Sequence, residues 1–98
     1  MASDFSSFEE VMMEGKILRE RLIKKVGSED GQWVSAGITK VGEEFKLCVV
    51  LQSVHMANVQ AVRSALDQVL QERNVERRSA GEDEVSIARI LDIGEVLA

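Results

Sequence analysis

A chain of 98 residues suits one hydrophobic core and is too short for two ordinary domains. Its 45% hydrophobic content is globular, and its 30% charged content interleaves both signs, which excludes a largely disordered chain. A formal net charge of -5 and the absence of tyrosine argue against a dedicated nucleic-acid binder, because phosphate contact draws on a basic surface and single strands need stacking platforms.

No stretch approaches the roughly 18 apolar residues of a membrane span, and residues 1–7 carry neither basic residues nor an apolar signal core. The only cysteine, Cys48, has no partner for an internal disulfide and reads as a free buried thiol. The expectation is a cytoplasmic protein without membrane attachment.

Ser6-Ser7-Phe8-Glu9 has the Ser-x-x-Glu spacing of a capping box, in which a Ser oxygen and a Glu carboxylate satisfy N–H groups at a helix start. At about 100° per residue, Phe8, Val11, Met12, Gly15, Leu18, Leu22, Ile23 and Val26 share one arc, and Glu9, Glu10, Glu14, Arg21, Lys24 and Lys25 fall elsewhere. The pattern predicts an amphipathic helix from Ser7 to Val26, acids in its first turns and bases in its last, with Gly27 at C′.

Gly27 to Gly31 reads as a polar turn, and Trp33 to Val41 and Phe45 to Ser53 as the strands of a β-hairpin. With Gly42 and Glu43 as a two-residue turn, Val34 faces Leu51, Ala36 faces Val49 and Ile38 faces Leu47. A slip by one residue would pair those apolar side chains with Lys46, Cys48 and Gln52, so the pattern itself selects the register.

A second amphipathic helix is predicted from Met56 to Asn74, capped by Ser53 or Asn58, with Val59, Val62, Leu66, Val69 and Leu70 on one arc. A charged loop, Arg77 to Glu84, follows. In the tail, Val85, Ile87, Leu91 and Ile93 alternate as in a strand, whereas Ile87, Ile90 and Leu91 also suit a short helix; β-branching and Gly94 favour the strand.

The expected fold is therefore a single α+β domain over residues 1–98 with the order α-β-β-α-β. Two helices pack on one face of a three-stranded sheet, and a right-handed crossover sets the third strand parallel to the second.

Little in the chain points to catalysis. Cys48 lies mid-strand and His55 beyond that strand's end, roughly 20 Å away along an extended chain, so they form no nucleophile and base pair. No second Cys or His completes a zinc site. The acidic runs Glu29-Asp30, Glu43-Glu44 and Glu82-Asp83-Glu84 lack the spacing of a calcium loop, and Gly27 to Gly31 lacks the Lys-Ser/Thr end of a phosphate loop. The Gly-x-x-Gly loop with which one class of RNA-binding domain clamps a nucleotide backbone occurs nowhere from Gly42 to Gly94. Catalytic, metal and cofactor sites are expected to be absent.

Other residues point to association. Met13 and Ile17 lie one turn apart off the main apolar arc, a pair a partner could cover. The sheet face away from the helices carries Trp33, Val41, Cys48 and Val50 among Ser35, Gly37 and Thr39, and is poor in charge. Arg19 and Arg73 fall inside apolar arcs, with stems expected to pack and guanidinium groups to reach outward. The expected function is a non-enzymatic interaction or structural module that self-associates as a homodimer, with Trp33, Val50, Met13 and Ile17 at the interface. The alternative is an anion or nucleic-acid site at the basic helix ends, formed by Arg21, Lys24, Lys25, Arg77 and Arg78.

Overall fold

The computed structural model describes residues 7–94, in the order α1 (Phe8–Val26), α2 (Ser28–Gly31), β1 (Val34–Val41), β2 (Glu44–Leu51), a 3₁₀ turn (Ser53–His55), α3 (Val59–Ser79) and β3 (Ile87–Asp92). The expected α-β-β-α-β order is present, with one added turn of helix. The cap of α1 is Ser7, whose Oγ accepts a hydrogen bond from the Glu10 N–H; Ser6 lies outside the described residues.

The segment expected as a plain turn is the single helical turn α2, and it has a fastening role. The carboxylate of Asp30 accepts from the N–H groups of Ala57 (2.9 Å) and Asn58 (3.0 Å), tying α2 to the start of α3. Asn58 in turn caps α3, its Oδ1 accepting from the Ala61 N–H. Ser53 belongs to the 3₁₀ turn instead.

The sheet order is β1-β2-β3, with β1 antiparallel and β3 parallel to β2. The hairpin register pairs Val34 with Leu51, Ala36 with Val49 and Ile38 with Leu47, as the alternation predicts. At the turn Gly42 has φ +63°, and among the described residues no non-glycine residue, Glu43 included, has positive φ, the signature of a type II′ turn whose twist suits a hairpin.

The ambiguity of the tail has a structural cause. Leu47 pairs with Ile87 but Cys48 pairs with Arg89, so Ala88 is the extra residue of a bulge. The bulge shifts the alternation, placing Ile90 and Asp92 on the helix side and Leu91 on the outer face. Leu91, expected to be buried, is 40% exposed, while Val85 just ahead of the strand enters the core. Asn74 holds Val85 there by accepting from its N–H (2.6 Å) and donating to its C=O (3.0 Å).

Helix α3 continues to Ser79, five residues past the expected Asn74. No breaker intervenes before Gly81, which takes φ +78°, so Arg77 and Arg78 stand on the last turn of a helix and not in a loop.

Val11, Leu18 and Leu22 of α1 meet Val62, Leu66 and Val69 of α3 over Leu47, Val49 and Leu51 of β2. Gly15 lets α1 approach the sheet closely: a Cβ there would stand 3.1 Å from both the Ala36 Cβ and the Leu47 Cδ2. Gly15→Leu should therefore overpack the core and lower stability by about 1–3 kcal/mol, read as a shifted urea midpoint at constant m-value.

Candidate functional site

The densest group of charges lies between α1 and α3. Glu14 is buried at 3% exposure, although its place on the helical wheel suggests a solvated acid. Its carboxylate accepts from Nε and Nη2 of Arg73 (2.8 Å each) and from Nη1 of Arg77 (2.9 Å). Arg77, only 2% exposed, also lies 3.5 Å from Glu10 and 3.6 Å from Glu82, and its Nε donates to the Asp83 C=O (2.6 Å). Farther along, Arg21 makes a bidentate pair with Glu76 (2.6 and 2.8 Å), and Lys25 stands 3.3 Å from Glu72.

Burial by itself would raise the Glu14 carboxyl, but hydrogen bonds and charge from Arg73 and Arg77 outweigh it and hold it below the usual 4.5. Hydrogen bonds from Arg21 and then Arg73 hold exposed Glu76 at about 2. Carboxylates fixed as anions between guanidinium groups have no proton to exchange near neutral pH, so the cluster suits fastening and not acid–base chemistry. It also uses Arg73 differently from the expected outward reach: the guanidinium turns inward onto Glu14. Two arginines four residues apart on the apolar arc of α3 were the readable signal that a buried carboxylate had to face them.

Four residues of the expected anion patch face carboxylates of the chain itself. Arg21 and Lys25 face Glu76 and Glu72, and Arg78 pairs with Glu84. Arg77 is buried in the cluster, where it presents no charge to a ligand, and Lys24 is left exposed on α1. Charge neutralised inside the chain attracts little phosphate.

The sheet offers more open surface. Helices cover one face; the other carries Trp33, Ser35, Gly37, Thr39 and Val41 beside Cys48, Val50 and Leu91, with Arg89 and the Glu44–Lys46 pair at its margins. Val50 and Cys48 sit half-buried at its centre. Trp33 lies at one end, its ring tilted against that of His55 at a centroid distance of 4.4 Å. Of the two α1 residues assigned to an interface, Met13 is 57% exposed, but Ile17 is half-buried, because its position on the wheel leans toward α3 beside Glu14.

A groove of about 410 Å³ runs beside β1, lined by Phe8, Met12, Gly15, Lys16 and Arg19 of α1 and Ala36, Gly37 and Ile38 of β1, with Leu47 of β2 at its floor. Phe8 and Met12, each 49% exposed, form its apolar rim, and the Phe8 ring meets Phe45 edge-on. Above one end of the groove the Arg19 Nε donates to the Val34 C=O (2.7 Å).

Among the described residues no group of three or more His, Cys, Asp or Glu side chains converges to hold a metal ion, and no helix is long and apolar enough to cross a membrane. Comparison of the chain with protein-family models, with curated proteins and with solved structures finds no match.

Proposed function

We propose that this chain is a non-enzymatic interaction module that acts by self-association through its three-stranded sheet, as a homodimer. The observation that carries this reading is the uncovered sheet: among the described residues helices occupy one face only, leaving Trp33, Cys48, Val50 and Leu91 on the other and β1 at an open edge beside an apolar groove. An open edge of an unprotected sheet is a template for pairing, and an apolar surface rimmed by polar residues is the usual mark of a protein interface. Trp33 and Val50 belong to this surface, and Met13 stands on the far side of α1 from it. The free Cys48 accords with a reducing, cytoplasmic location, which forms part of the same proposal.

The alternative, anion or nucleic-acid binding at the basic helix ends, loses support because Arg21, Lys25, Arg77 and Arg78 already face carboxylates. Sedimentation velocity from about 1 to about 100 micromolar should show a concentration-dependent passage from monomer to dimer. A sedimentation coefficient that stays monomeric throughout that range would sink the proposal.

A further inference from the structure

Resting on the reading that the chain self-associates, we propose that two copies join through the open edges of their β1 strands, antiparallel and centred on Ile38, into one continuous sheet. Gln52 donates to the C=O of Trp33, which sets the phase of the hairpin ladder. Odd-numbered residues of β1 bond inward to β2, so the N–H and C=O groups of Val34, Ala36, Ile38 and Lys40 turn to the open edge. Among the described residues no strand pairs there.

Charge selects the register. The Val34 C=O at one end of this edge is already held by Arg19, which marks where pairing must stop and leaves a cation at that spot. If the two-fold axis passed through Gly37, Val34 would stand opposite Lys40 of the second copy, setting Arg19 against a like charge. Centring on Ile38 moves Val34 opposite Gly42, so Arg19 of each copy meets exposed Glu43 at the hairpin tip of the other. In that register Ile38 exchanges both backbone hydrogen bonds with its own counterpart, and Ala36 does so with Lys40. The grooves of the two copies merge beside the axis and cover Phe8 and Met12, each 49% exposed. Because the same patch serves both copies, the contact closes on itself and yields a dimer, not a filament.

Proline tests this without touching the ladder inside one copy, because the N–H groups of Ala36 and Lys40 point outward. Ala36→Pro and Lys40→Pro should each melt as the parent does at dilute, monomeric concentration, yet raise the dimer dissociation constant by about a hundredfold. Glu43→Lys should weaken the dimer about tenfold, and Arg19→Glu together with Glu43→Lys should restore it, since the swap preserves opposite charges across the axis. A dimer indifferent to either proline and to Glu43→Lys would overturn the edge contact and leave self-association through the outer sheet face standing. A parent chain that never dimerises would overturn both.

Discussion

A chain ended after Glu84 should fail to fold. It loses Val85, one of the buried core residues, and with it β3, whose Ile87 packs against the same core. Complete burial of a single Val or Ile is worth roughly 1.5–3 kcal/mol, against a total stability of about 5–15 kcal/mol for a domain of this kind. The loss extends beyond side chains. β2 would surrender its parallel ladder, leaving a two-stranded hairpin that is marginal in water, and Asn74 would lose both of its bonds to Val85. Asp92, buried on the helix side, anchors the far end by accepting from Ser53 Oγ and from Arg63 Nη2 (2.8 Å), so the strand is fastened at both ends. Far-ultraviolet circular dichroism with a thermal scan is the measurement; a cooperative melt at the parent temperature would refute the role assigned to β3. In the full chain, amide exchange should be slow along Ile87–Asp92 at residues bonded to β2 and fast at those facing the open edge.

Glu14→Ala should be the most damaging single substitution on the polar side of the molecule. It removes the carboxylate between Arg73 and Arg77 and leaves the Arg77 guanidinium enclosed with weaker compensation from Glu10 and Glu82, for a loss of about 3–5 kcal/mol. At roughly 4–8 °C per kcal/mol for a domain of this length, the melting temperature should fall far enough to read without ambiguity. Glu14→Leu combined with Arg77→Met should recover a large part of that loss, because an apolar pair of similar volume avoids the desolvation that the ions incur. The sign of the pH effect follows from the direction of the Glu14 shift. A carboxyl whose folded pKa lies below its unfolded 4.5 adds stability at all pH above 4.5, and that stability fades as pH falls through the folded value. Glu76, held at about 2, acts in the same direction. Urea midpoints should thus be level near neutrality and decline below about pH 4.5, and Glu14→Gln should flatten part of that decline. A parent and a Glu14→Gln variant with superimposable acid profiles would contradict it.

The hairpin was readable because its information is local and redundant: one turn glycine and three apolar pairs across it all demand the same register. The α1 pattern was readable for a similar reason. The tail resisted because a bulge changes the period from two to three in mid-strand, and Ile87 with Ile90 then carries the spacing of a helix while lying in a sheet. The end of α3 resisted because charge alone suggested a loop at Arg77-Arg78, whereas what holds those residues helical is Glu14, more than sixty positions earlier. The interface residues divide in the same way. Alternation placed Trp33 and Val50 on the outer face, but the half-burial of Ile17 depends on where α3 lies, and the open groove beside β1 depends on which strand falls at the edge of the sheet.

The same long reach between Glu14 and Arg77 bears on how the polypeptide matures. During synthesis α1 and the hairpin emerge first, yet α1 has no counter-charges for Glu14 and β2 has only one neighbour until α3 and β3 follow. Nothing in the first half can close its core in isolation, since Val62, Leu66, Val69 and Val85 all arrive late. The core can therefore close only once α3 and β3 are available, and closing it has to bring α1 together with elements far along the chain, at the entropic cost of a long loop.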